Sequence, residues 1–423
     1  MVRACRCPKA GLLKLNRWIT NSNKIGAFVI RRTMLDEKVI HACQTPAFIL
    51  DRRDLVTNIR SIQSFAVDGA CRTLFALKAL TLHETLATTA TYFDGFSASS
   101  LFEARLAREI GGEQMFLSYI SPVLNADEIH EIAALSDSVT LNSLSQFSRF
   151  APDLAQKCQI GLRINPGCSF AADERCDPCR VDSHLGIPSR KLRSVMGQNP
   201  DQFNPLSGLH FHSNHRSHDA GQLAMTIRQM EKVLGNDLHQ IQWLNVGGGY
   251  FFDEHHGNQA AACELQRIRT QYELETFIEP GAAVVSSSGY FVSTVQDLTD
   301  GYDCPIATLD LTVNHWPELF EYRIKPLING TIKNGPDEYL LAGCSCVPGD
   351  VFGRHAFAKN LGIGSRIVFP NAGAYSISKS HTFNGINLPN IYVLGDSGEL
   401  KLVKHFGYEE FAARCGIETR MIV

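Results

Sequence analysis

No uninterrupted apolar stretch in the 423 residues approaches the roughly 20 needed to span a bilayer, so no membrane-spanning helix is read from the sequence. Net charge is equally scarce: 40 Lys and Arg stand against 43 Asp and Glu, a formal −3. That balance gives no bulk electrostatic grounds for nucleic acid or a membrane surface as a partner. No repeat at solenoid period and no low-complexity tract is present. Cysteine occurs 13 times, an odd number scattered over a long chain. With no clear signal peptide, this points to reduced thiols and a cytoplasmic location, not a disulfide framework. Cys5-x-Cys7, Cys176-x-x-Cys179 and Cys344-x-Cys346 have no second pair at finger spacing, so no metal site is expected.

Acid is missing altogether from residues 1–33, which carry eight Lys or Arg. An Arg-rich, acid-free leader suits a targeting segment, but its helical amphipathicity is poor. An extended start ahead of Met34 fits better. Residues 1–43 are expected to be a basic extension without fixed structure.

From Thr45 onward the pattern is regular. Pro46–Leu50 reads as a strand, and Asp51 caps a helix over about 53–65 with Leu55, Ile59 and Ile62 at helical spacing. Strand and helix then alternate at short period through Leu74–Ala79, 92–96, Met115–Ser118, Ser138–Leu141, Ile160–Ile164, Gly208–His212, Trp243–Val246 and Thr276–Glu279. Such alternation implies a parallel sheet. About eight units fit between residues 45 and 285, the size of a (β/α)8 barrel. After Pro280-Gly281 the runs become short, β-type and punctuated by Gly, Pro, Asn and Asp. The fold class is therefore α/β: a barrel over 44–285 followed by a C-terminal β domain over 286–423.

The chemistry-bearing residues fall where a barrel presents its active groups, at strand C-terminal ends. Leu74-Phe75-Ala76-Leu77-Lys78 is an apolar run ending in an amine. Burial there lowers a lysine pKa and makes a nucleophile able to hold a carbonyl as a Schiff base; the plainer alternative is a lysine reaching to water. Gly247-Gly248-Gly249 after a strand leaves backbone N–H groups open to phosphate oxygens, or forms only a tight turn. Glu279 before Pro280-Gly281 suits a pyridine nitrogen kept protonated, or is a solvated acid. His210 and His212 share one strand face, as ring-stacking groups or as satisfied core histidines; Asn214 and His215 extend the polar rim. Gly343–Asp350 packs two thiols and an acid into a loop, and Asn371–Tyr375 offers a phenol.

Together these stretches resemble the fold-type III pyridoxal phosphate decarboxylases, the alanine racemase-like barrel group that includes diaminopimelate and ornithine decarboxylases. The similarity is strongest to its carboxynorspermidine decarboxylase subgroup. It is carried by TPAFILD at 45–51, LFALKA at 74–79, DGFSASSLFEARL at 94–106, SLSQFSRF at 143–150 and GLRINP at 161–166. It continues through DPC at 177–179, GLHFHS at 208–213, WLNVGGG at 243–249, IEPG at 278–281, CVPGDVFG at 346–353, AGAY at 372–375 and TFNGINLP at 382–389.

The resemblance implies pyridoxal 5'-phosphate as cofactor and Lys78 as the lysine that binds it covalently. It implies His212 stacked on the cofactor face and Glu279 at the pyridine nitrogen, with Gly247, Gly248, Gly249, Ser213 and Tyr375 around the phosphate. Cys346 would enter from the partner subunit of a homodimer with shared active sites. Asp350 would hold a distal amine, and Asp177, Asp310, His315 and Glu318 would lie at the substrate end. The implied reaction is loss of the α-carboxylate from a small-molecule amino acid with a long amine-bearing tail, of the carboxynorspermidine or carboxyspermidine kind.

Departures point to a shifted substrate. Ala282 stands where the diaminopimelate enzymes carry an arginine after Glu-Pro-Gly, the segment 309–318 is altered, and His184 replaces a usual Arg or Lys. A related decarboxylase tailoring a siderophore, antibiotic or modified peptide is the alternative. An amino-acid racemase is less favoured, because that group sets a cation where Glu279 stands. A catalytically silent binding homologue would not need Lys78, His212, Glu279, Cys346 and Tyr375 intact.

Overall fold

The computed structural model describes residues 34–171, 173–253, 257–333, 335 and 337–417; the readings made on residues 1–33 lie outside them. After a first strand, β1 (Ala47–Asp51), the Asp51 carboxylate accepts the N–H groups of Arg53 and Asp54 and so starts the helix Arg52–Gly69. That helix turns its Leu55, Ile59, Ile62 and Phe65 face inward. The chain then builds a ring of parallel strands: β2 (Arg72–Ala76), β3 (Gly95–Ala98), β4 (Phe116–Ile120), β5 (Ser138–Leu141) and β6 (Gln159–Asn165). A two-residue strand, β7 (Ile187–Pro188), pairs with β6 outside the ring. The ring resumes with β8 (Leu206–His210), β9 (Trp243–Asn245) and β10 (Glu275–Ile278), which closes on β2. The expected eight-stranded barrel is present.

Its floor is plugged by one indole. A Cβ added to Gly208 would lie 1.9 Å from the Trp243 ring and one at Gly161 2.3 Å from it, so these two glycines clear the space the ring fills. Leu74 and Phe277 pack against Trp243, and the Arg72 guanidinium lies 4.7 Å above the Phe116 ring at that end. The plugged end leaves the opposite, C-terminal mouth for chemistry.

The second sheet is mixed. It comprises β11 (Gly289–Thr299), β12 (Ile306–Leu309), β13 (Thr331–Ile332), β14 (Asp337–Ala342), β15 (Val351–Phe357), β16 (Arg366–Phe369), β17 (Asn390–Leu394) and β18 (Leu400–Lys404). Strand β1 belongs here and not to the barrel: it runs parallel to β17 and antiparallel to β11. All five of its residues are buried, so a barrel position with one face toward helices is not needed to cover it. The β domain is thus built from both sides of the barrel sequence.

Residues 34–43 are also part of it, in contrast to the extension expected there. Asp36 caps the helix Glu37–Ala42, and Leu35, Val39 and Cys43 pack with Ile49, Tyr290 and Tyr392. Three apolar residues spaced by four supply the buried stripe that orders this short segment. Among the described residues no helix is long and apolar enough to cross a membrane.

Candidate active site

Lys78 sits in the turn Leu77–Ala79 that follows β2. The turn is held from both sides, by Ala76 N–H donating to the Pro280 carbonyl (3.1 Å) and Tyr375 N–H donating to the Ala79 carbonyl (2.9 Å). Lys78 is the one exposed residue between Thr73 and Leu80, and the space it meets is interior. It lines two cavities that also share His212, His215 and Glu279. The protein packed around its amine lowers its pKa, with Glu279 pulling the other way.

Glu279 follows β10 and is 8 % exposed. Its Oε1 accepts from Asn245 Nδ2 at 2.9 Å and its Oε2 lies 3.3 Å from His210 Nε2. Burial opposes its ionisation, but the hydrogen bond with His210, the Asn245 amide and the nearby Lys78 more than offset this and leave the pKa below the usual carboxylate range. His210 is shifted down by burial, with Glu279 pulling the other way. A neutral imidazole beside a carboxylate donates from Nε2, and Nδ1 is left buried without a partner.

His212 is fixed by Gly248 N–H, which donates to its Nδ1 at 3.1 Å. Burial, followed by the charges of Lys78 and Arg163, holds its pKa well below 6.5, so the ring is neutral. The three glycines answer to backbone crowding. A Cβ on Gly248 would sit 2.1 Å from the Glu279 carbonyl oxygen, and one on Gly249 (φ +92°) 2.1 Å from that of Asn214. They let the loops after β8, β9 and β10 converge, and this convergence brings His212 and Glu279 to one cavity.

The smaller cavity spans about 450 Å³, including space open to solvent, and Lys78 and Glu279 are among its lining residues. Its other walls are Gly249–Phe251, Gly281–Ala283, Arg216 and Tyr375. The larger, about 1110 Å³, runs past Lys78 to Arg163, Arg175, Asp177, Arg180 and His184. Asp177 therefore lies where the sequence places it, although its oxygens already accept from Ser169 Oγ and from Cys179 N–H (2.8 Å).

Other expected groups lie elsewhere. Ser213 is fully buried and lines neither cavity; its hydroxyl pairs with Tyr250 Oη (2.9 Å) and Thr226 Oγ1 (3.3 Å), while His215, two residues on, faces both chambers. Asp350 is 3 % exposed and accepts from Val313 N–H (2.8 Å), Ser345 N–H (2.9 Å) and Ser345 Oγ (2.6 Å), which makes it the anchor of its own loop. Asp310 accepts from Thr45 Oγ1, Ser293 Oγ and Thr294 N–H inside the β domain. His315 is fully buried, with its pKa pushed by burial down to about 4, and its Nδ1 accepts from Thr312 N–H (3.4 Å). Glu318 is 3 % exposed and pairs with Arg216 at 2.6 Å. Cys346 is exposed and lines neither cavity of its own chain.

Sequence reading missed Asn245, Arg163 and Arg216 as site residues; it placed His215 on the polar rim and left His210 between a ring-stacking and a core role, and the structure sets His210 against Glu279. The two-residue spacing of His210 and His212 signalled a shared face, and the Asn245 amide stands at the end of β9 just as Glu279 follows β10. Nothing local signalled the Arg216–Glu318 pair, whose members are 102 positions apart.

The donor set fits an aldehyde-bearing pyridine with a phosphate. An amine of lowered pKa, an ionised carboxylate with fixed oxygens and a neutral imidazole share one cavity, and the buried Arg216 Nε–H there has no acceptor among the described residues. Residues 53–293 match the family described as pyridoxal-dependent decarboxylase, pyridoxal binding domain. The carboxynorspermidine/carboxyspermidine decarboxylase of Campylobacter jejuni is 32 % identical over 388 residues, 88 % of this chain and 98 % of that protein. The carboxyaminopropylagmatine decarboxylase of Synechocystis is 31 % identical over 391 residues, 90 % and 98 % of the two chains. The crystal structure of carboxynorspermidine decarboxylase complexed with norspermidine from Campylobacter jejuni superimposes with a TM-score of 0.80 at 30 % identity, covering 88 % of this chain and all of that one. The chain belongs to the pyridoxal-dependent decarboxylases, carboxy-lyases whose cofactor is pyridoxal phosphate.

Proposed function

We propose that the chain removes the α-carboxylate of an amino acid bearing a long amine-containing tail, of the carboxynorspermidine, carboxyspermidine or carboxyaminopropylagmatine kind. The observation that carries this reading is the pair of chambers meeting at Lys78, one lined by Glu279, His212 and Gly249 and the other running on past Arg163 and Asp177. The full-length similarity to decarboxylases of such substrates supports it.

Bound pyridoxal phosphate supplies an electron-withdrawing ring that accepts the electrons freed when carboxylate leaves the α-carbon. The protein's share is placement and proton control. Lys78, its ammonium destabilised by burial, would be the amine that holds the cofactor through its aldehyde. Glu279, held ionised by Asn245 and His210, keeps a ring nitrogen cationic. His212, held at its ring edge by Gly248 N–H, would stack on the cofactor face. Gly249 and Tyr375 wall the same cavity and are assigned to the phosphate end. Cys346 of a second copy in a homodimer, or Lys78, would supply the proton that replaces the lost carboxylate.

A decarboxylase tailoring a siderophore, antibiotic or modified peptide is the second reading, and the wall of the larger chamber favours it. Arg163, Arg175 and Arg180 line it, against Asp177 and Glu279 whose oxygens are already bonded. Arg175 and Arg180 meet Asp173 and Asp182, but Arg163 has no ion pair among the described residues. Measuring CO2 release from carboxy-polyamines, carboxyaminopropylagmatine, diaminopimelate, ornithine and lysine decides between them. Turnover of a carboxy-polyamine or carboxyaminopropylagmatine well above the rest is expected. Silence on every one would overturn the first reading, and release that persists in Lys78→Ala would overturn the assignment of the lysine.

A further inference from the structure

Arg216 has no counterpart among the groups expected from the sequence, yet it stands in the wall of the smaller cavity beside Gly249, Tyr250 and Ala282. Its position is built. The next residue, Ser217, is laced to the glycine loop in both directions: Ser217 N–H donates to the Gly249 carbonyl at 2.8 Å, and Phe251 N–H donates to the Ser217 carbonyl at 2.9 Å. The backbone of Arg216 is left-handed (φ +52°), a conformation an L side chain with a Cβ avoids without compensation. Compensation comes from the β domain. Glu318, 3 % exposed, holds one guanidinium nitrogen at 2.6 Å, and the guanidinium carbon lies 5.5 Å from the Tyr375 ring centre. Glu318 holds one nitrogen of the fork, and Nε–H is buried with no acceptor among the described residues. A strained backbone, a dedicated buried carboxylate and a stranded donor are costs that an anionic ligand at this end of the cavity would offset.

We propose that Arg216, oriented by Glu318, is the cation that holds the cofactor phosphate in this chain, taking over at the cavity wall where position 282 is alanine. The assignment rests on the reading of this cavity as the cofactor site. It makes Arg216 a binding residue and Glu318 a positioning residue, which removes Glu318 from the groups free to meet a substrate amine. It also ties the barrel loop that carries the phosphate contact to the β domain that carries Tyr375.

The test compares two aldehydes that differ only in the phosphate. Cofactor-free protein is titrated with pyridoxal phosphate and with pyridoxal, and each dissociation constant is read from the visible absorbance of the lysine adduct. Wild type should prefer the phosphorylated form. Arg216→Gln should weaken pyridoxal phosphate by at least about tenfold, the value of a charge-assisted contact, and leave pyridoxal unchanged. Because Arg216→Gln strands a buried carboxylate, Arg216→Gln/Glu318→Gln is measured beside it and should show the same selective loss. Retention of the wild-type preference in a folded variant, judged by circular dichroism, overturns the proposal. If wild type and Lys78→Ala alike give no adduct with either aldehyde, the cofactor-site reading itself falls.

Discussion

His210 Nε2 lies 3.3 Å from Glu279 Oε2, across a gap of 69 residues and from strands that are not neighbours. Strand β9 runs between them, and its last residue, Asn245, donates to the other oxygen at 2.9 Å. Three successive barrel strands therefore converge on one carboxylate, fixing both its oxygens and its charge. A carboxylate free to rotate would spread its field over the cavity; this one is aimed.

The consequence for pH has a definite sign. The folded pKa of Glu279 is below 4.5, so its contribution to stability is complete above 4.5 and is lost as pH falls through the folded value. Asn245→Ala removes a hydrogen bond to a charged group, worth about 1.5–3 kcal/mol, and brings that pKa back up. Pyridoxal phosphate affinity should fall roughly 10- to 100-fold at pH 7, and its acid limb should move to higher pH. In urea melts the stability gap between wild type and variant should shrink on going from pH 7 to below the folded pKa. A gap independent of pH would mean that Asn245 packs without holding charge.

Gly248→Ala tests why the triple glycine exists. The new Cβ would fall 2.1 Å from the Glu279 carbonyl oxygen, an atom of rigid backbone that cannot rotate away. Relieving the overlap drives the glycine loop away from the β10 loop and takes the N–H that holds His212 with it. A loss of about 1–3 kcal/mol in stability is expected from overpacking, accompanied by loss of visible cofactor absorbance. Normal cofactor loading with lowered stability alone would show that the two loops need not meet.

The barrel was legible because parallel strands buried on both faces read as apolar runs spaced by amphipathic helices. Lys78, Glu279 and the triple glycine were legible for the same reason, since each closes such a run. Strand β1 was placed in the wrong sheet because a five-residue apolar run carries no mark of its partners; those partners, β11 and β17, lie more than 200 positions away. The acids of the β domain, assigned to the substrate end by resemblance, have local partners within the chain. Asp310 and Asp350 look like ligand carboxylates in a loop-rich sequence, but local hydroxyls and N–H groups saturate them. Satisfaction of a side chain is a property of its surroundings, and sequence position does not report it.

Placing β1 in the β domain predicts where truncation damage appears. Phe48 is fully buried, with its ring edge-on to Phe291 at 5.5 Å. Phe48→Ala should cost about 3–5 kcal/mol and release the β domain first. Hydrogen exchange should rise in β11 and β17 before it rises in β2 or β10. Early loss of protection in the barrel would contradict the pairing.

Cys346 gives the sharpest test of a shared site. Its thiol is exposed on the Gly343–Asp350 loop, which Asp350 holds by three hydrogen bonds, and it meets neither cavity of its own chain. A rigid loop presenting a thiol away from its own lysine suits delivery into the cavity of a second copy. Lys78→Ala chains lack the amine and Cys346→Ala chains lack the thiol, so each alone should decarboxylate poorly, with Cys346→Ala still binding cofactor. In a mixed dimer one of the two sites combines an intact Lys78 with an intact Cys346. Co-refolded or co-expressed chains should therefore regain activity that neither homodimer has, in proportion to the mixed species resolved by charge-tagged separation. If mixing restores nothing while mixed dimers form, the thiol serves its own chain or no site at all.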